Sequence, residues 1–191
     1  RTVPRGTRMK FDANCNVIRG FVHWYDQHGN EDIDLSVGLY SGDFGLIEQV
    51  SFTNLKTSGV YHSGDIRRRQ GSCAEYIDID IGVALKTGIR YAALVCYNFQ
   101  RRPMNSMKEC FVGYMGRNSP ASGEIFEPRT VKNALIPESK ETSVMPCVFD
   151  LVKREMIWVD MDIAGHYLRA GSDDQISANM RMYVEEPNLS M

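Results

Sequence analysis

The sequence predicts a mainly β protein, a sandwich of short, mostly antiparallel strands with few short helices. Residues 33–40 and 76–81 alternate apolar with polar or small side chains, and a period of two is typical of half-buried strands. Turn-forming groups such as Gly29-Asn30 and Ser41-Gly42-Asp43 interrupt the sequence often. Many short strands separated by turns favour a sandwich or a barrel.

Other short apolar runs predict further strands, at residues 17–24, 47–52, 91–97, 109–115, 131–136, 144–151 and 156–161. Residues 83–86 predict one helical turn. The inward-facing positions of these strands give the predicted core, which includes Ile33, Leu35, Val37, Ile77, Ile79, Leu94 and Val148.

The C-terminal part predicts a short helix with one apolar face. Ser172 or Asp173 is placed to cap it, and Pro187 is placed to end it. Its apolar face would carry Ile176, Met180, Tyr183 and Val184. We therefore divide the chain into a sandwich domain, residues 1–165, and a tail with this helix, residues 166–191.

Composition narrows the function classes. A length of 191 residues suits one domain, and a net charge of −2 gives no general attraction to nucleic acid. No apolar run approaches the roughly 20 residues that span a bilayer, so we expect no transmembrane segment. The five cysteines form no CxxC pair, and Cys96, Cys110 and Cys147 lie in apolar runs. Buried, reduced thiols are expected, which points to the cytoplasm.

Acidic residues gather beside the predicted turns in four groups: Asp26 with Glu31, Asp32 and Asp34; Asp65; Glu75 with Asp78 and Asp80; and Asp160 with Asp162. Carboxylates two residues apart on a strand project to the same side, and calcium takes six to eight oxygen ligands. Acids beside turns also serve as solvated or backbone-capping groups. Spacing alone favours the solvated or capping role, and a cation site remains the alternative.

Several ordered motifs carry a family resemblance. The segments EDIDLSVGLY, FTNLKTSGVYHSGD, AEYIDIDI and RYAALVCYN, in this order, resemble the TerD (tellurite-resistance and stress-response) family over roughly residues 19–158. The order and spacing of the motifs make the resemblance more specific than any one of them. The stretches RGTRMKF and RGFVHWYDQHG resemble a bacterial subgroup in which a TerD-like domain follows other modules.

This resemblance implies a TerD-like β-sandwich that is cytoplasmic and binds calcium through acidic loops at one edge. The positions that match the family's acidic and amide positions are Asp32, Asp34, Asn54, Asp65 and Glu75. The implied function is a calcium-binding, non-enzymatic module of a TerD-type stress-response system, with protein partners in that system and no evident nucleic-acid partner.

The loop after Asp65 departs from the family pattern. Residues 66–74 lack the acids that the family carries there, and the run Arg67-Arg68-Arg69 takes their place. Guanidinium groups repel a divalent cation at short range. The alternative function is therefore a metal-free protein-interaction scaffold with a degenerate calcium site, in which Arg67, Arg68 and Arg69 bind an acidic partner through their planar donors.

A simpler alternative remains for the same arginines: they pair on the surface with Asp43, Asp78 or Asp80. The sequence also lacks a G-x-S-x-G elbow and a phosphate-binding glycine loop, so we expect that this protein is not an enzyme. Among the scattered histidines, His62 is expected to hold its turn by hydrogen bonding.

Overall fold

The computed structural model describes residues 1–65, 70–120, 131, 133–163 and 174–186. Two six-stranded sheets pack face to face, and all strand pairs within them are antiparallel. The strands of the first sheet are β1 (Arg8–Lys10), β3 (Ile33–Tyr40), β4 (Leu46–Val50), β8 (Tyr91–Asn98), β11 (Ser143–Asp150) and β12 (Glu155–Asp162). They lie in the order β1-β12-β11-β8-β3-β4.

The strands of the second sheet are β2 (Val17–Asp26), β5 (Lys56–Thr57), β6 (Val60–His62), β7 (Gly71–Asp80), β9 (Phe111–Arg117) and β10 (Ala134–Leu135). They lie in the order β10-β9-β2-β7-β6-β5. The described helices are α1 (Ile81–Lys86), α2 (Asp174–Glu185) and a 3-10 turn, Met104–Ser106. Among the described residues, no helix is long and apolar enough to cross a membrane.

The main core lies between the sheets. Leu35 and Leu94 from the first sheet and Ile77 and Ile79 from the second are fully buried in one cluster. The period-two alternation that predicted these strands therefore orients their apolar side chains as expected, and the predicted mainly β sandwich is confirmed.

A second cluster covers the outer face of the first sheet. Ile176, Met180 and Val184 of α2 are buried there against strand residues such as Val148. Val148 is buried as predicted, but it belongs to this second cluster, because its neighbour Phe149 occupies the position that faces the core between the sheets. Helix α2 lies where the sequence predicted one; its proposed caps and the boundary at residue 165 lie outside the described residues.

Three short strands were not predicted from the sequence, namely β1, β5 and β6. Each has two or three residues, which is too short for an alternation to be read. The predicted strand at residues 131–136 is reduced to Ala134–Leu135, and β7 begins at Gly71, five residues before the predicted start.

The first sheet has an edge at β3 that β4 covers only in part. Strand β4 pairs with β3 only from Val37 to Tyr40. Among the described strands, none lies beside the first half of β3 on that edge. His62 at the end of β6 and Glu75 on β7, both from the other sheet, bind the backbone of Leu35 there.

Candidate metal centre

Three carboxylates meet where this free edge of β3 faces the second sheet. Oxygens of Asp32, Asp34 and Asp65 lie within 4.8 Å of one another, and all three residues are half-buried. In the part of the chain that the structure describes, no other group of three histidines, cysteines or acids is this compact. The site therefore joins acids from both sheets that are about thirty positions apart in the chain.

The segment that carries Asp32 and Asp34 is fixed by β8 and the turn after it. Asp34 lies directly opposite Tyr97 in the β3–β8 register. The backbone N–H of Asp32 donates to the side-chain carbonyl of Gln100 (2.8 Å), and its C=O accepts from the N–H of Phe99 (2.9 Å). These bonds hold Asp32 beside Asp34, as the spacing of two residues requires.

Asp65 is presented by a tight turn that follows β6. Gly64 has a φ of +96°, a conformation that favours glycine, and its N–H donates to Nδ1 of His62 (2.9 Å). The turn is anchored to β7 because Ser63 N–H donates to the C=O of Tyr76 (2.9 Å) and Tyr76 N–H donates to Ser63 Oγ (3.0 Å).

His62 holds this turn as the sequence predicted, and it also reaches the other sheet. Its Nε2 donates to the C=O of Leu35 (2.7 Å); this tautomer follows because Nδ1 accepts from Gly64. Burial lowers the pKa of His62, and the bond to Leu35 and the charge of Asp65 only partly offset it. The ring is therefore neutral at neutral pH.

Glu75 lies one layer further in. Its side chain is 1% exposed, Oε2 accepts from the N–H of Leu35 (2.9 Å), and the same oxygen is 3.7 Å from Nε2 of His62. Glu75 does not belong to the compact group of three acids. The structure thus places this predicted ligand on the backbone of β3, behind the carboxylates that meet.

Asn54, the remaining predicted ligand, shapes a turn at the sandwich edge. Its amide nitrogen donates to the C=O of Gln49 (2.7 Å), and its backbone pairs with Ser51 in both directions (3.0 Å each). The contacts described for Asn54 thus stabilise the turn that follows β4.

Asp26 organises the loop that leads into the site. It is fully buried, and its Oδ1 accepts from the backbone N–H groups of His28, Gly29 and Asn30 (3.1, 2.7 and 3.1 Å). An acid followed by Gly-Asn is a sequence signal for such a loop. Gln100 and Tyr97, which fix the other side of the site, gave no comparable signal.

The run Arg67-Arg68-Arg69 lies outside the described residues. The three acids named as its surface partners have contacts of their own. Asp78 binds Arg19 through both carboxylate oxygens (2.6 and 2.7 Å), Asp80 accepts from Val83 N–H at the start of α1 (3.0 Å), and Asp43 accepts from Ser41.

Comparison with known proteins finds similar solved structures but no matching sequence. No protein-family model matches the chain, and no curated protein sequence matches it. The crystal structure of a homologue of telluride resistance protein (TerD) from Streptomyces coelicolor A3(2) is similar, with a TM-score of 0.61, 11% identity, and 80% of this chain and 93% of that one covered. A solved protein of unknown function, SAV2460, is similar with a TM-score of 0.55, 13% identity, and coverages of 78% and 93%. The fold is therefore a TerD-like β-sandwich.

Proposed function

We propose that this chain is a calcium-binding, non-enzymatic module, and that Asp32, Asp34 and Asp65 hold the ion. One observation carries the proposal: two sheets bring three carboxylates together, with oxygens within 4.8 Å of one another. Like charges at this separation repel, so a bound divalent cation would stabilise the arrangement directly.

The chemistry of the donors favours calcium over other common metals. Carboxylate oxygens are hard ligands, which suit calcium and magnesium, whereas zinc sites in proteins are built mainly from cysteine and histidine. Calcium accepts irregular geometry, and magnesium demands a near-ideal octahedron. A site assembled from a strand and a turn of different sheets suits the more tolerant ion, with water filling the remaining coordination positions.

Histidine and cysteine side chains often act as catalytic groups, but those beside this site have structural roles. Both ring nitrogens of His62 bind backbone groups, so the ring is occupied as a hydrogen-bonding element. Burial raises the pKa of the Cys96 thiol, which lies opposite Leu35 in the β3–β8 register, well above its ordinary value, and this leaves the thiol protonated and a poor nucleophile at neutral pH. These features support a binding function for the module.

The likeness to a homologue of a telluride resistance protein supports a cellular setting as well. We place the module in a bacterial stress-response system, in the cytoplasm, where calcium occupancy would alter its association with protein partners. The five buried, free cysteines fit a reducing compartment.

Calorimetric titration with calcium tests the proposal. The wild-type chain should take up the ion, Asp34→Asn should weaken uptake at least about tenfold, which corresponds to about 1.4 kcal/mol, and Glu48→Gln should leave it unchanged. Glu48 is a matched control because it is an exposed acid that pairs with Leu39, near the other end of β3. Absence of binding at millimolar calcium would refute the proposal.

Terbium luminescence gives a second, local test. Side chains that lie directly opposite in an antiparallel pair have Cβ atoms about 5 Å apart, so Tyr97 adjoins Asp34. Excitation of tyrosine should sensitise emission from terbium bound at the site, and calcium should displace it. Tyr97→Phe should reduce the emission and leave the calcium affinity unchanged.

The metal-free interaction scaffold is the second candidate function. The sequence places Arg67-Arg68-Arg69 immediately beyond Asp65 and Ile66, and this charge favours an acidic partner. If the scaffold function holds, calcium produces no heat, and replacing the three arginines by serine weakens capture of an acidic peptide most strongly at low salt. Calcium uptake combined with unchanged capture would remove this candidate.

A further inference from the structure

We propose that His62 and Glu75 are positioning residues that form an inter-sheet clamp, and that this clamp sets the affinity for calcium by fixing Asp65 relative to Asp32 and Asp34. The inference rests on the proposed function, because its effect is exerted through the calcium site. It assigns Glu75 a role that differs from the ligand role implied by the family resemblance.

The clamp completes the pairing of a strand edge. Strand β4 leaves β3 after Val37, so no described strand pairs with the backbone of Leu35 on that side. Glu75 Oε2 accepts from Leu35 N–H at 2.9 Å, and His62 Nε2 donates to Leu35 C=O at 2.7 Å. Two side chains of the second sheet thereby substitute for a neighbouring strand. Leu35 is fully buried, and a buried backbone group without a hydrogen-bond partner destabilises the fold.

The ring of His62 couples the two halves of the site. Leu35 adjoins Asp34 in the chain, and Gly64 adjoins Asp65. The ring of His62 binds Leu35 through Nε2 and Gly64 through Nδ1. A rigid, buried ring therefore spans from the backbone next to one ligand to the backbone next to the other, and its width fixes the gap that the cation must fill.

Burial strengthens the hydrogen bonds of the clamp and holds its two side chains in place. The side chains of His62 and Glu75 are 0% and 1% exposed, so water does not compete for their bonds. Side-chain groups that lock a binding site in this way reduce the ordering required when the ion binds, and preorganisation of this kind raises affinity.

Glutamine and alanine at position 75 distinguish a clamp from a ligand. Glutamine keeps a side-chain oxygen that accepts from Leu35 N–H, but it removes the negative charge. If Glu75 acts through the clamp, Glu75→Gln keeps calcium affinity within about threefold of wild type and Glu75→Ala weakens it about tenfold or more, since 1.4 kcal/mol is a factor of ten. If Glu75 is a ligand, both variants lose affinity together.

His62 is tested with a matched pair. Asparagine at this position keeps an acceptor that can reach the N–H of Gly64 two residues on, whereas leucine removes both bonds. The clamp predicts that His62→Leu weakens calcium binding about tenfold or more and that His62→Asn recovers part of the loss. Urea unfolding of each variant establishes that the fold persists.

Hydrogen exchange at the amides of Leu35 and Gly64 provides a readout that is independent of the metal. Both amides should exchange faster in the variant that removes their own acceptor, Glu75→Ala and His62→Leu respectively. If either variant fails to fold, Glu75→Gln and His62→Asn decide the matter. Unchanged affinity in Glu75→Ala and His62→Leu, or equal losses in both variants at position 75, overturn the clamp. A wild-type chain that binds neither calcium nor terbium overturns the proposed function and, with it, this inference.

Discussion

Asp78, on the outer face of the second sheet, and the three acids of the candidate metal centre lie in different electrostatic environments. Asp78 is fully buried and binds Arg19 at 2.6 and 2.7 Å, while this arginine lies 3.8 Å above the ring of Tyr76. At the candidate metal centre, oxygens of three carboxylates lie within 4.8 Å of one another. The same functional group therefore stabilises the fold where it pairs with a buried guanidinium, and we propose that it binds an added cation where three carboxylates meet.

Breaking the buried pair should have the largest effect. Asp78→Ala leaves the guanidinium of Arg19 buried without the carboxylate that it binds, and removing one partner of a buried ion pair typically destabilises by about 3–5 kcal/mol. Urea unfolding followed by circular dichroism measures the loss.

The double variant Arg19→Met/Asp78→Leu sharpens this test. Replacing both charges by apolar side chains of similar size removes the unpaired charge, and such replacements are often neutral or stabilising. It should therefore be more stable than Asp78→Ala alone. A loss below about 1 kcal/mol in Asp78→Ala, the range typical of exposed pairs, would show that the pair is not structurally important.

Calcium should stabilise the wild-type chain by the next largest amount. A ligand at 100 times its Kd that binds only the folded state adds about 2.7 kcal/mol. Thermal unfolding with and without calcium measures the shift, and Asp34→Asn should abolish most of it while Glu48→Gln retains it. A shift of equal size in Asp34→Asn would place calcium at some other site.

A pH series tests the other paired acid, Glu155, which accepts from Arg8 and Lys10 at 2.8 Å each. Burial acts to raise its pKa, but the hydrogen bonds and charges of Lys10 and Arg8 prevail and lower it. A lowered folded-state pKa means that the unfolded chain binds the proton first. The stabilisation is thus complete above the unfolded pKa and is lost as the pH falls through the folded pKa. Unfolding measured from pH 7 downwards should be less pH-dependent in Glu155→Gln; equal slopes would contradict this.

The sequence predicted much of the fold because alternation is a local signal. Residues 33–40 and 76–81 reveal their buried faces without knowledge of any partner strand. The sequence predicted less of the candidate metal centre. Asp34 lies on β3 and Asp32 lies just before that strand begins, so their proximity follows from their spacing, whereas Asp65 joins them only through the family resemblance and the packing of two sheets.

The role of Glu75 shows why side-chain contacts could not be predicted in the same way. Its acceptor function depends on β4 ending at Val50, opposite Val37, which exposes the backbone of Leu35 to the other sheet. No sequence pattern states where a neighbouring strand stops pairing. A buried acid that binds backbone and an acid that binds metal therefore look alike in the sequence.

The smallest expected effect is also the one that most directly contrasts the two environments. Without calcium, Asp34→Asn removes one charge from a cluster of like charges. Two unit charges near 5 Å interact by about 1 kcal/mol in a water-like dielectric, and more in a less polar medium. Removing this repulsion should leave the calcium-free chain as stable as wild type, or raise its unfolding free energy by about 1 kcal/mol, whereas Asp78→Ala lowers it.

Urea unfolding in the presence of a chelator measures the difference, with Glu48→Gln as the control for losing a single exposed charge. A clear destabilisation by Asp34→Asn, beyond that of Glu48→Gln, would mean that the acids of the candidate metal centre support the fold as Asp78 does, and the contrast between the two regions would be wrong.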